Sequence, residues 1–296
     1  MDLNKLRMFI TLAETLHFHK AAALCHVSPS TLSRSIQTME NDLSASLFDR
    51  DNRTVRLTRP GVKFLRFARE TLQRWETLQD QMQQDSDQLQ GSLSLYCSVT
   101  ASYSFLYDIL RDFRRQHPLI EITLHTGDPA LAIERILAGH EDIAIAARLD
   151  VMPQELSFKR ITQSPLVLIQ PVNDDWLATN SNARPTNALY PPYILSEQGV
   201  ARSRLDQWFR EQNITPNIYA QVAGHEAIVS MVSLGLGVGL VPKIVLDNSP
   251  LADKVKATQN QPQLKPYDVG LCVMHRRLKS PIVKAFWQQL KGGEDT

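Results

Sequence analysis

The chain has 296 residues, of which 43% are apolar and 21% charged, and its formal net charge is +1. A length of this order suits about two domains, and the composition suits a soluble globular fold with a substantial core. Near-neutrality excludes bulk attraction to polyanions or membrane surfaces, so any nucleic-acid contact has to come from a local patch. Cys25, Cys97 and Cys272 are odd in number, far apart and without a CxxC pair. That argues against a disulfide framework and for a reducing compartment. Asp2, Lys5, Arg7 and Glu14 interrupt the N-terminal stretch, which does not read as a secretory signal. No apolar run approaches the length of a membrane span. A cytoplasmic protein without membrane contact is expected.

Leu3, Leu6, Phe9, Ile10, Ala13 and Leu16 fall on one face of a first helix. A second short helix is predicted from Phe18 to Cys25, with Ala21 and Ala22 allowing close packing. Ser28 suits an N-cap and Pro29 the first position of a third helix. Leu32, Ile36, Met39 and Leu43 follow at spacings of a buried stripe, leaving Ser30, Thr31, Ser33, Arg34 and Gln37 on the other face. Residues 47–58 read as a β-hairpin turning at Asp51-Asn52-Arg53, and Arg50, Arg53, Arg56 and Arg59 recur every third residue.

Two short helices joined by a tight turn match the helix-turn-helix plan, whose second helix enters the major groove. Arg34 can donate two hydrogen bonds to a guanine edge and Gln37 can pair with adenine. Ser28, Ser30 and Ser33, with the amides at the helix start, can reach phosphates. A hairpin tipped by Arg53 can enter a minor groove or meet phosphate. An ordinary helical pair with a solvated arginine face fits the same spacing.

Residues 61–89 read as one long polar helix, with Leu65, Ala68, Leu72, Trp75, Gln79 and Met82 at alternating spacings of three and four. That is the pattern of a seam between two copies. A helix lying on its own domain also fits. Two DNA-reading units on one duplex favour the dimer, because dimeric readers match two-fold half-sites.

After Gly91 the pattern alternates between strand and helix. Strands are expected at 91–97, 120–124 and 142–147, with helices at 98–117 and 128–138. A second set spans 166–169, 193–195, 202–212, 218–222, 224 onward and 238–241, and residues 269–274 and 282–290 return to the first. This predicts mostly parallel sheets in two α/β lobes with a cleft between them. Two helix starts are candidate ligand contacts. Ser98, Thr100, Ala101 and Ser102 form a nest of hydroxyls and amides suited to an anion, and Gly224-His225-Glu226 opens another helix. Plain N-capping explains each equally well.

The residues from Phe9 through Phe18, Ala21-Ala22, Val27 to Arg34, Ile36, Glu40, Leu43, Leu47-Phe48, Arg50, Arg53, Val55, Leu57-Thr58 and Gly61 resemble the LysR-type regulators. Phe113 to Pro118, Gly139 to Ile145 and Gly235 to Pro242 extend the resemblance over nearly the whole chain. Ser44 departs from a usual glycine, and Arg59-Pro60 from a usual Glu-Ala. The resemblance implies an N-terminal all-α winged helix-turn-helix (1–60), a linker and dimerisation helix (61–90), and an α/β two-lobed effector-binding domain of the periplasmic-binding-protein type (91–296). Lobe I would span about 91–162 and 268–296, and lobe II about 163–267. It implies operator DNA and a small-molecule inducer as partners, and a tetramer of two dimers bending DNA across adjacent sites. It leaves room for RNA polymerase as a further partner. It places inducer contacts at the Ser98 turn and, by position only, at Asp128, Ala146, Gln198 and Gly199. His225-Glu226-Ala227, Ser230-Met231-Val232, residues 49–55 and residues 97–101 further resemble a family member serving branched-chain amino acid synthesis. That implies activation by acetolactate or acetohydroxybutyrate, both small carboxylates.

Gly235-Leu236-Gly237-Val238-Gly239 runs into a strand, whereas a dinucleotide loop runs out of one into a helix. His17, His19, Cys25 and His26 lack a zinc spacing. Neither a cofactor nor a metal is expected. No catalytic constellation is evident, and the chain is read as a regulator rather than an enzyme. A LysR-type regulator of another pathway, a solute-binding protein or enzyme with an accessory DNA-binding domain, and a DNA-architectural protein without ligand remain the alternatives.

Overall fold

A computed structural model of the chain describes residues 2–50, 54–82, 88–173, 191–259 and 261–290. The chain divides near residue 88 into two compact units.

The N-terminal unit contains α1 (Leu3–Thr15), α2 (Phe18–Leu24), α3 (Pro29–Asp42), the strands β1 (Phe48–Arg50) and β2 (Val55–Leu57), and α4 (Arg59–Met82). It is helical apart from those two strands. The Asp2 side chain accepts a hydrogen bond from the Lys5 amide and caps α1. Leu6, Phe9, Leu12 and Ala13 are the buried face of α1. The Phe9 ring meets Phe64 of α4 edge-on at 4.8 Å and Phe48 of β1 at 5.3 Å, so one aromatic ties three elements together. On α3 the buried stripe is Leu32, Ile36 and Met39. Leu43, expected in that stripe, is the C-cap and is exposed, because the helix ends before its side chain can turn inward.

β1 and β2 pair antiparallel, Phe48 opposite Leu57 and Arg50 opposite Val55. The expected turn with Arg53 lies outside the described residues. Glu40 of α3 accepts hydrogen bonds from the Leu47 and Phe48 amides and anchors the hairpin. The Thr58 hydroxyl accepts from the Gly61 amide and donates to the Ser46 carbonyl. A Cβ on Gly61 would stand 2.0 Å from the Leu47 carbonyl oxygen, so the start of α4 tolerates only glycine there.

The long helix differs from the seam expected of it. Phe64, Ala68 and Leu72 are buried in the unit's own core, with Leu65 packed against it. The seam residues Leu65, Ala68 and Leu72 are therefore largely used within the chain. The apolar side chains of α4 left exposed beyond its first turn are Phe67, Trp75, Leu78 and Met82.

The second unit holds two five-stranded sheets. The first has the order β4-β3-β5-β12-β6, formed by β3 (Gln90–Cys97), β4 (Leu119–Thr126), β5 (Ile143–Ala147), β6 (Leu156–Ser164) and β12 (Tyr267–Met274). The second has the order β11-β7-β10-β8-β9, formed by β7 (Leu166–Pro171), β8 (Pro192–Ser196), β9 (Asn217–Val222), β10 (Val238–Pro242) and β11 (Val255–Ala257). The chain crosses between the sheets after β6 and again before β12. The sheets are mixed rather than mostly parallel: β3 pairs parallel with β4 and β5, and β8 with β9 and β10, while β12 runs antiparallel to β5 and β6, and β7 to β10 and β11. The helix expected over 98–117 breaks at Phe105 into α5 (Val99–Ser104) and α6 (Leu106–Gln116). α7 (Ala132–Leu137), α8 (Val200–Glu211), α9 (His225–Ser233), α10 (Lys243–Asp247) and α11 (Pro281–Gln289) complete the described α-helices. A Cβ on Gly239 would stand 2.3 Å from the Ile228 Cγ2. That glycine thus lets α9 lie close on β10.

Candidate functional site

The first candidate surface is the outer face of α3. Ser28 caps the helix, its hydroxyl accepting from the Thr31 amide at 3.1 Å and lying within 2.9 Å of both the Ser30 and Thr31 hydroxyls. Pro29 occupies the first turn, where its missing amide proton costs nothing. With Leu32, Ile36 and Met39 turned inward, Ser28, Ser30, Thr31, Arg34 and Gln37 are exposed, and Pro29 and Ser33 half-buried. Among the described residues, no hydrogen bond or ion pair engages the Arg34 guanidinium or the Gln37 amide. A cation with a rigid donor fork beside hydroxyls and an amide is a set of groups suited to base edges and phosphates. Arg56 of β2 and Arg59 at the start of α4 are exposed as well.

The second candidate is a cavity between the two sheets of the second unit. Ser98, Thr100, Ala101, Phe105, Pro129, Ile145, Ala146, Ala147, Tyr267 and Val269 line it from the first lobe, and His225, Pro242, Ile244 and Val245 from the second. Its volume is about 30 Å³. The Ser98 side chain accepts from the Ala101 amide. The Thr100 amide and hydroxyl both donate to one carboxylate oxygen of Glu226, at 2.9 and 2.6 Å. The amides expected to be free for a ligand are therefore partnered within the chain.

Of the expected ligand contacts, Ser98, Thr100, Ala101, Ala146 and His225 come together around the cavity, and Glu226 bonds to its wall. The others do not line it. The Ser102 hydroxyl bonds back to the Val99 carbonyl and faces an open outer groove with Tyr107 and Arg111. Asp128 caps the Ala130 amide, and its carbonyl accepts from the Tyr96 hydroxyl. Gln198 is exposed, and Gly199 sits against Ala130.

Tyr267 was not singled out from sequence, and only its place beside Pro266 at a strand start could have flagged it. It is buried, lines the cavity and meets the His225 ring edge-on at 5.9 Å. No hydrogen bond joins the Tyr267 hydroxyl or the His225 ring to another described residue. Burial pushes the Tyr267 phenol up, with Asp128 adding to the effect. Burial lowers His225 despite opposition from Glu226 and Asp128, which favours the neutral imidazole. Burial also opposes ionisation of Glu226, yet the two Thr100 bonds and a bond from its own backbone outweigh it and bring the carboxyl below its usual value. The lining thus contains hydroxyls and an imidazole beside apolar walls, with Glu226 ionised at its edge. Burial pushes the Cys97 thiol up to about 11 and Cys272 to about 12, which leaves both poor thiolates.

Residues 3–62 match the bacterial regulatory helix-turn-helix protein family of lysR type, and residues 86–294 match the LysR substrate binding domain. The chain is 43% identical over 293 residues to the HTH-type transcriptional activator IlvY of Haemophilus influenzae, covering 98% of this chain and 100% of that one. It is 42% identical to the HTH-type transcriptional regulator IlvY of Escherichia coli, covering 98% and 99%. Among solved structures, a full-length point mutant of OxyR from Pseudomonas aeruginosa is similar in fold, with a TM-score of 0.67, 21% identity and coverage of 99% of this chain and 96% of that chain. Full-length CbnR complexed with its target DNA gives 0.62 at 21% identity, covering 98% and 99%. With both segments matched and such relatives aligned almost end to end, the chain belongs to the LysR family of bacterial transcription regulators.

Proposed function

We propose that this regulator is a cytoplasmic transcriptional activator of the IlvY type, serving branched-chain amino acid synthesis and responding to acetolactate or acetohydroxybutyrate. The observation that carries this reading is the 42–43% identity to IlvY proteins over nearly the full length. Residues 1–60 bind operator DNA through Ser28, Pro29, Ser30, Thr31, Ser33, Arg34 and Gln37. The hairpin acts as the wing, and Arg53 adds a DNA contact. Residues 61–90 pair two copies, and residues 91–296 take the inducer. The pairing face is the exposed stripe Phe67, Trp75, Leu78 and Met82 of α4, rather than the positions already buried in its own unit. Two such dimers form the tetramer.

The inducer's carboxylate is received by Thr100 and Ser98, and its hydroxyl and keto oxygens by His225 and Tyr267, whose polar atoms are otherwise unused. The apolar Ile145, Val245 and Val269 take its methyl groups. Substituting Thr100→Val removes the hydroxyl but keeps the shape. The variant is expected to bind operator normally while losing its transcriptional response to acetolactate in a reconstituted assay. A full response from Thr100→Val would remove this cavity from the inducer site.

A further inference from the structure

Thr100 stands in the first lobe and Glu226 in the second, 126 residues apart in sequence, yet two hydrogen bonds end on a single Glu226 oxygen. That oxygen belongs to an ionised group, and bonds to charged acceptors are the stronger kind. The cavity beside this contact measures about 30 Å³, room for little more than ordered water. Pockets that hold organic ligands run to roughly 300–1,000 Å³. His225 and Tyr267 are each about 6% exposed and line the same small space without a hydrogen-bonding partner among the described residues. An acid of five or six carbons cannot enter this arrangement without the lobes parting, and the Thr100–Glu226 bonds, with the apolar core shared by the two sheets and the Arg204–Asp150 pair, hold them together.

We propose that Glu226 is a built-in occupant of the effector site: its carboxylate holds the two lobes shut over Thr100 in the ligand-free chain, and an incoming carboxylate takes over Thr100's two donors, releases Glu226 and opens the lobes. This rests on the reading that the cavity receives a small carboxylate. One carboxylate replaces another on the same neutral donors, so the exchange at Thr100 is close to even. The net affinity comes from the remaining contacts, those with His225, Tyr267 and the apolar wall. Glu226 also imposes a charge requirement, since an uncharged analogue has weaker bonds to offer Thr100. A binding-competent state that is only partly populated lowers the apparent affinity by that fraction. Removing the competitor therefore raises affinity for the inducer, the reverse of what deleting an ordinary ligand contact does.

The test uses the full chain as wild type, Glu226→Ala and the shape-preserving Glu226→Gln. Without ligand, amide hydrogen exchange is followed in 101–105 and 242–247, which face the cavity from the two lobes. Both segments of Glu226→Ala are expected to exchange about tenfold faster than wild type, with Glu226→Gln intermediate. Calorimetry with 2-acetolactate is expected to show Glu226→Ala binding about tenfold more tightly and Glu226→Gln between the two. Unchanged protection of both segments in Glu226→Ala overturns the clamp, whether or not acetolactate binds. Faster exchange with no acetolactate binding to any of the three proteins leaves the clamp standing and overturns the choice of inducer. Weaker acetolactate binding by both variants makes Glu226 a ligand contact and overturns the exchange.

Discussion

At Ser44 the backbone takes φ +50°, a left-handed conformation that glycine adopts freely and other residues adopt at a cost. The position lies between the end of α3 and the hairpin, where the chain has to reverse so that Leu47 and Phe48 can meet Glu40. Substituting Ser44→Gly is expected to stabilise the chain by roughly 0.5–1 kcal/mol, seen as a higher urea midpoint with an unchanged slope. A lower midpoint would mean that the serine side chain contributes something glycine cannot. Single residues were unevenly legible in the sequence. Ser28, Pro29 and Arg34 follow from helix geometry, because a cap, a proline at the first turn and an apolar stripe leave only one face outward. Ser102 and Tyr267 did not follow. Which side of a short helix faces a cavity, and which side chain the returning strand β12 brings beside it, depend on pairings between segments more than a hundred residues apart.

Among the elements, α4 shows how one helix can satisfy two readings. Its a/d-like pattern suggests a seam between copies, yet Ala68 and Leu72 close the core of their own unit. The exposed stripe Phe67, Trp75, Leu78 and Met82 lies on an adjacent face. Periodicity counts apolar side chains but does not say which neighbour covers them. If the stripe pairs two copies, Leu78→Asp should convert tetramers to dimers in equilibrium sedimentation and leave the helix content unchanged. Leu72→Asp should instead unfold the N-terminal unit. A tetramer that survives Leu78→Asp places the pairing surface elsewhere. The strand β6 escaped the sequence for a different reason. Its alternation of Leu156, Ser157, Phe158 and Lys159 breaks at a bulge, where the register against β12 shifts and Ile161 gains an extra place. A bulge resets the two-residue period on which strand recognition rests. Lys159 further disguises it, being buried beside the Trp287 ring. The break at Phe105 was also hidden, since α5 and α6 are both helical and only the backbone between them changes direction.

At the scale of the whole molecule, the sequence displayed its two functions as two regimes. Short capped helices ending in an arginine-rich stretch come first, and alternating strands and helices after Gly91 come second. The double crossing between sheets and the antiparallel return of β12 were less legible, because they depend on strand order rather than on strand existence. Control in such a protein is a coupling free energy between the effector cavity and the DNA-bound state, so an effector acts only as far as it binds two arrangements unequally. The exchange at Thr100 supplies such a difference within the sensor. Its effect on transcription requires that α3 grip the operator throughout. That grip is tested most directly by measuring the affinity of wild type and Arg34→Ala for the operator at one fixed salt concentration. The account expects Arg34→Ala to weaken binding by about 1–3 kcal/mol, with the fold and sensor unchanged. Equal affinities of the two proteins would contradict it.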